Sequence, residues 1–122
     1  MPRAVIIEDN FLIALELEGI LKEMGFQVCA TATSHDEAVA ALAEHQPDLV
    51  TCDLQLRDGG IDTERLLAEH PTACIIYVTA ASSGLRAEVN SAHCVDKPFN
   101  AAMVKRAIEQ VFADSRSGGR NH

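Results

Sequence analysis

The sequence lacks several features that would tie it to a membrane or to nucleic acid. Its apolar runs are only a few residues long, far below the roughly 20 needed to cross a bilayer. The first residues, MPRAVIIED, contain no hydrophobic stretch of signal-peptide length. Ten basic residues against 18 acidic ones give a net charge of −8, which opposes binding to a phosphate backbone. We therefore expect a cytoplasmic protein that contacts neither membrane nor nucleic acid directly.

Closely spaced cysteines are also missing. The four cysteines are at least 20 positions apart, with no C-x-x-C pair and no histidine at zinc-finger spacing. Free cysteine behaves as a small hydrophobic residue, so reduced and mostly buried thiols are expected. A chain of 122 residues can bury a single core without disulfides or a structural metal. The cysteines are Cys29, Cys52, Cys74 and Cys94.

Short apolar segments alternate along the chain with segments of helical periodicity. Because parallel strands need crossover connections, this alternation predicts a parallel sheet with helices on both faces. The five predicted strands are Val5–Ile7, Gln27–Thr31, Leu49–Leu54, Ile75–Val78 and His93–Val95.

Capping residues mark the first two predicted helices. Asn10 caps the first helix, and Gly25 suits the left-handed position after its end. Ser34 and Glu37 form a capping-box pattern for a second helix, which ends near His45. The first helix carries apolar residues at helical spacing: Phe11, Leu12, Leu15, Ile20, Leu21 and Met24.

The rest of the chain predicts three further helices and a tail. A loop at residues 57–60 precedes a helix over residues 62–69, and residues 87–90 form at most a shortened fourth helix. Asn100 caps a last helix that runs through Phe112. Residues 1–114 therefore form one domain, and residues 115–122 form a disordered tail.

Polar residues gather where the predicted strands end. In an open α/β sheet, ligands bind beyond the carboxyl ends of the strands. Three carboxylates converging there repel one another by about 4 kcal/mol per pair at ~4 Å and an effective dielectric constant of ~20. A divalent cation relieves this repulsion, and oxygen ligands favour Mg²⁺. The converging residues are Glu8, Asp9, Asp53, Thr79 and Lys97.

These residue types suit phosphoryl transfer, in which catalysis is mostly alignment and charge neutralisation. Asp53 is the candidate nucleophile, since it ends a central strand. Thr79 can donate a hydrogen bond to a phosphoryl oxygen, and Lys97, followed by a candidate cis Pro98, supplies positive charge. For the metal, we expect Asp9 and Asp53 as ligands, Glu8 acting through water, and the backbone carbonyl of Gln55 as a further ligand.

In this order and spacing, the residues resemble the receiver domain of two-component response regulators over residues 5–112. The resemblance implies a flavodoxin-like fold with five parallel strands in the order 2-1-3-4-5. It implies Mg²⁺-dependent phosphoryl transfer from the phosphohistidine of a sensor histidine kinase or histidine phosphotransfer protein, followed by hydrolysis. The matching positions are the acid pair Glu8-Asp9, the acceptor Asp53 44 residues later, the switch hydroxyl Thr79, and Lys97-Pro98-Phe99.

Three departures from this family pattern stand out. Residues 54–62 lack the usual Pro-Gly loop, and Cys94 replaces the aromatic switch residue. The 18 positions from Thr79 to Lys97 are about four fewer than the family pattern, which predicts the shortened fourth helix near the output face. The output we expect is a changed protein-binding surface, with homodimerisation left open.

Several alternatives remain open at this stage. Glu8 and Asp9 could serve only helix capping, Asp53 could be a lone strand-end acid, Thr79 a structural strand residue and Lys97 a solvated turn residue. Cys52 and Cys94 could form a redox switch, although buried thiols are inert. As a whole, the chain could be a haloacid dehalogenase-type phosphatase or a pseudo-receiver that carries no phosphate. That phosphatase needs a D-x-D pair, and position 55 is glutamine.

Overall fold

The computed structural model describes residues 1–53, 69–80 and 93–117. Within these ranges, five parallel strands form one sheet in the order β2-β1-β3-β4-β5, which confirms the predicted order. The strands are β1 (Arg3–Ile7), β2 (Gln27–Ala32), β3 (Leu49–Asp53), β4 (Cys74–Ala80) and β5 (Cys94–Lys97), and the helices are α1 (Phe11–Glu23), α2 (His35–His45) and α3 (Ala101–Ser117).

Some predictions lie outside the described residues. These are the loop at residues 57–60, the helix over residues 62–68, the shortened fourth helix at residues 87–90, the carbonyl of Gln55 and the tail from residue 118. Glu69, the predicted last residue of the third helix, lies in a turn. None of the described helices is long and apolar enough to span a membrane.

The helices begin where the capping residues predict. Asn10 Oδ1 accepts hydrogen bonds from the backbone N–H groups of Leu12 at 3.0 Å and Ile13 at 3.2 Å. Asn100 Oδ1 accepts one from the Met103 N–H at 2.9 Å. These bonds satisfy N–H groups that have no partner inside the helix. Gly25, at a φ of 94°, takes the left-handed position predicted after α1.

Two apolar layers enclose the sheet, one on each face. Residues of α1 and α3 pack on one face of the sheet, against side chains that include Ile6, Leu49 and Ile76. Helix α2 packs on the other face through Ala38 and Leu42. The strands are buried on both sides, as their continuous apolar sequences predict.

Helix α1 buries a different set of residues from the one its apolar sequence suggests. Phe11, Leu12 and Leu15 are 74%, 73% and 52% exposed. A helix over a sheet buries only one stripe, and three of the predicted apolar residues fall outside it. The buried residues of α1 are Ala14, Leu17, Ile20 and Leu21.

The C-terminal helix extends beyond its predicted end at Phe112, through Ser117. Asp114 in its last turn lies 2.7 Å from His93 Nε2 and accepts a 2.8 Å hydrogen bond from Gln110. These polar contacts add to the apolar packing of α3 and favour continuation of the helix. The prediction of disorder from residue 115 is therefore wrong for residues 115–117.

Strand β5 also has different limits from the predicted ones. It runs from Cys94 to Lys97, so that His93 precedes the strand and Lys97 ends it.

At the opposite edge, the pairing of β1 with β2 shifts: Ala4 pairs with Val28, but the next residue pairs with Ala30. Cys29 is therefore the extra residue of a β-bulge.

A buried threonine in the central strand provides a test of the packing. Thr51 is fully buried between Ile6 of β1 and Ile76 of β4, and no described residue hydrogen-bonds its Oγ1. We expect Thr51→Val to raise the free energy of unfolding by about 1 kcal/mol, because an unsatisfied buried hydroxyl is costly. Chemical denaturation measures this change, and Thr31→Val at an exposed position of β2 is the control. Destabilisation by Thr51→Val would contradict the prediction.

Candidate functional site

The carboxyl ends of the strands bring the predicted acidic residues together. Asp53 is the last residue of β3, and Glu8 and Asp9 directly follow β1, its neighbour in the sheet. The three side chains each have a carboxylate oxygen within 4.8 Å of the others. Glu8 is 1% exposed and Asp53 is 3% exposed, whereas Asp9 is partly exposed. The sequence prediction of converging acids is thus met by these three residues.

Glu8 is held by contacts to two backbone groups. Its N–H donates to the Ala32 carbonyl of β2 at 2.9 Å, and its Oε2 accepts the N–H of Asn10 at 3.1 Å. Its Oε1 is buried and accepts no hydrogen bond from a described residue. The backbone contribution of Asn10 was missed from sequence. The sequence did offer a signal for it, because the N–H groups at the start of a helix need hydrogen-bond acceptors from outside the helix.

The environment of Glu8 disfavours its charged form. Burial raises the pKa of Glu8 to about 7, and a hydrogen bond with Asp53 acts in the same direction. The Asn10 N–H and the charge of Lys97 oppose this rise in pKa. Two carboxylates that face each other in a buried site tend to share a proton unless a cation neutralises them.

Lys97 reaches the acid cluster from the end of β5. Its Nζ lies 3.2 Å from Glu8 Oε1 and 3.5 Å from Asp53 Oδ2. The side chain is 21% exposed, so the ammonium is close to the carboxylates and also near solvent. The bond from Lys97 to Pro98 is cis, as predicted.

Thr79 lies in β4, the strand next to β3. Asp53 of β3 pairs with Val78 of β4, and Thr79 is the residue that follows Val78 along β4. Its neighbour in β5 is Asp96, and the threonine is fully buried. Thr79 is thus at the same edge of the sheet as Asp53.

The residues present fit a divalent metal ion. Three carboxylates offer the oxygen ligands that hard cations prefer. Lys97 brings one ammonium to a cluster of three acids, and the buried Glu8 Oε1 accepts no hydrogen bond from a described residue. The cluster of Glu8, Asp9 and Asp53 can therefore bind a metal ion.

The four cysteines are all free, as expected. Cys52 and Cys74 are buried, whereas Cys29 and Cys94 are partly exposed, so that half of the thiols depart from the expected burial. Burial, together with the negative charge of Asp53, raises the pKa of Cys52 to about 12. Its thiol is protonated at neutral pH, which argues against a redox role for Cys52.

The raised pKa of Glu8 predicts a pH-dependent stability in metal-free protein. Glu8 ionises near 4.5 when unfolded and near 7 when folded, so between these values the folded state holds more protons. Its contribution to the free energy of unfolding therefore falls as the pH rises from about 4.5 to about 7. Chemical denaturation at several pH values in this range, with a chelator present, measures how the free energy of unfolding changes with pH. The wild type is compared with Glu8→Gln, in which residue 8 cannot titrate. Equal slopes in both proteins would contradict the prediction.

Comparison with known proteins gives consistent matches. Residues 4–109 match the family described as response regulator receiver domain. The chemotaxis protein CheY of Thermotoga maritima is 30% identical over 115 residues, which cover 89% of this chain and 96% of that protein. The phyllosphere-induced regulator PhyR of Methylorubrum extorquens is 34% identical over 123 residues, which cover 95% of this chain and 45% of that protein.

The fold agrees with these sequence matches. The crystal structure of the response regulator PhyR from Brucella abortus aligns with a TM-score of 0.83 at 33% identity, over 99% of this chain and 52% of that one. The chain thus spans about half the length of the PhyR relatives that it matches. The sheet order is that of the flavodoxin-like receiver fold. By sequence and by fold, the chain belongs to the receiver domain family of response regulators, the proteins of two-component signalling.

Proposed function

We propose that Asp53 accepts a phosphoryl group from a phosphohistidine, with Mg²⁺ bound, and that this event switches a protein-binding surface. The donor we propose is a sensor histidine kinase or a histidine phosphotransfer protein in the cytoplasm. One observation carries the proposal: Asp53 shares a cluster within 4.8 Å with two further acids and has an ammonium 3.5 Å from its Oδ2. Side chains suited to act as a nucleophile, as metal ligands and as a countercharge thus lie at one end of the sheet, which supports the proposal.

The chemistry requires little from the protein beyond alignment. An Asp53 carboxylate oxygen forms a bond to phosphorus while the bond from phosphorus to the imidazole nitrogen breaks, and the electron pair stays on that nitrogen. Lys97 places positive charge beside the acceptor, where negative charge builds on the phosphoryl oxygens. Attack by water on phosphorus later releases phosphate and restores the carboxylate.

We propose that Mg²⁺ is held by Asp9 and Asp53, with Glu8 contributing through water and the carbonyl of Gln55 as a further ligand. When bound, the ion neutralises charge on the acids and on the phosphoryl group. This assignment is supported by the oxygen-only cluster and by the partial exposure of Asp9, since Mg²⁺ retains several water ligands.

Thr79 is proposed to report the phosphorylated state. Its hydroxyl can donate to a phosphoryl oxygen on Asp53, and the two residues lie on adjacent strands. The threonine is fully buried, so a move of its side chain alters the packing of β4 around it. A local change in charge at Asp53 can thereby favour one of two arrangements of a surface.

Covalent labelling tests the acceptor. With acetyl phosphate and Mg²⁺, we expect intact-mass spectrometry to show one added phosphoryl group, which Asp53→Asn loses because the nucleophilic oxygen is gone. Thr51→Val keeps the acceptor and serves as a control. Persistent labelling of Asp53→Asn would place the acceptor elsewhere, and no labelling of the wild type would favour a pseudo-receiver. Repeated turnover of small phosphomonoesters would favour the phosphatase.

A second variant tests the countercharge. We expect Lys97→Ala to slow labelling by acetyl phosphate about 10²-fold, because a positioned group that stabilises developing charge contributes roughly this factor. The matched control is Lys105→Ala, which removes an exposed lysine of α3 that pairs with Glu23 at 3.8 Å. The labelling rate, followed by mass spectrometry over time, distinguishes the two. Equal rates for Lys97→Ala and the wild type would contradict the role proposed for Lys97.

A further inference from the structure

A guanidinium, a thiol and an imidazole meet at the end of β1 that lies away from the acid cluster. Arg3 is the first residue of β1, whereas Glu8 directly follows its last residue. The Nε–H of Arg3 donates to Cys29 Sγ in β2 at 3.5 Å, and its Nη2 lies 3.4 Å from His45 Nδ1 at the end of α2. Three elements of the fold therefore contribute one side chain each to this cluster.

The Arg3 guanidinium lies within ion-pair distance of no described carboxylate, although the chain carries 18 acidic residues. Asp48 Oδ2 accepts from the backbone N–H of Arg3 and not from its side chain. A guanidinium can only donate, so Cys29 Sγ and His45 Nδ1 are its acceptors, and its Nη1 donates to no described residue. A partly buried guanidinium with a donor left over is suited to bind an anion.

Cys29 is open to a small molecule in a way that the buried thiols are not. It is partly exposed, whereas Cys52 and Cys74 are buried. As the extra residue of the β-bulge, it has no paired residue in β1. Exchange between a thiol and a disulfide proceeds through the thiolate, and a guanidinium that donates to the sulfur stabilises negative charge there. The contact with Arg3 therefore favours reaction at Cys29.

We infer that Cys29 and Arg3 form a modification site for a small disulfide that carries carboxylate groups. A carboxylate of the ligand pairs with the free donor of Arg3 and brings the disulfide to Cys29 Sγ. The Cys29 thiolate attacks one ligand sulfur, and a new S–S bond forms as the old one breaks. The electron pair of the broken bond leaves with the other half of the ligand, which takes up the proton lost by Cys29. Cys29 is thereby oxidised to a mixed disulfide, and the leaving half is reduced to a thiol.

Two disulfides of similar size and opposite charge test the site. Dithiodipropionate has a carboxylate at each end, and cystamine has an ammonium group at each end. The net charge of −8 favours cystamine over the protein surface in general, so a preference for the anion has to arise locally. Peptide mapping by mass spectrometry over time gives the rate at each cysteine of the full chain. We expect the ratio of the dithiodipropionate rate to the cystamine rate to be about tenfold higher at Cys29 than at Cys94, the other thiol that is partly exposed.

Variants of Arg3 assign this preference to the guanidinium. Arg3→Gln should lower the ratio at Cys29 to the level of Cys94, because an amide carries no charge to pair with a carboxylate. Arg3→Lys keeps the charge without the Nε–H donor, so it should retain part of the preference, and it carries the test if circular dichroism shows that Arg3→Gln does not fold. Cys29→Ser should lose the added mass at this position and keep the rate at Cys94.

Two results would overturn the inference. One is an equal ratio at Cys29 and Cys94 in the wild type, which would show that Cys29 reacts as an ordinary surface thiol. The other is a wild-type ratio at Cys29 in folded Arg3→Gln, which would show that the preference does not come from the guanidinium. Neither result depends on phosphoryl transfer to Asp53, so the inference and the proposed function stand or fall separately.

Discussion

The structure depends most on one electrostatic constraint: two carboxylates are buried at the ends of adjacent central strands. Glu8 and Asp53 are almost fully buried, and burial together with the neighbouring Asp53 raises the pKa of Glu8. The Asn10 N–H and the Lys97 ammonium lower the cost of this constraint, and a divalent cation would lower it further. A buried charged site of this kind responds strongly to the arrival of further charge.

The sheet makes this constraint possible because its apolar layers fix where the strands end. Side chains on both faces of β1 and β3 are enclosed by helices, so a shift of one strand along its neighbour would move each of these side chains out of its packing position. Asp53 therefore stays at the same level as Glu8 and Asp9. Hydrophobic packing several residues away from the acids therefore sets the positions of these acids relative to one another.

Much of this could be predicted from the sequence, since parallel strands end at the same edge and the five polar residues lie at the ends of four of the five apolar runs. The contact between Glu8 and Lys97 could not, because it depends on side-chain reach between segments 89 positions apart. Nor could the exposure of Phe11 and Leu12, since apolar spacing alone does not tell which stripe of a helix meets the sheet. The contact between His93 and Asp114 near the end of α3 joins residues 21 positions apart, and local sequence does not reveal it.

The β-bulge at Cys29 has a consequence for how molecules of this chain meet one another. Strand β2 is at the edge of the sheet, and an unpaired edge can template pairing with a strand of another molecule. The pairing register of β2 shifts at this point, and an extra residue of this kind generally bends a strand and increases its local twist. An edge strand of this kind is a weaker template for pairing with another molecule than a flat one is.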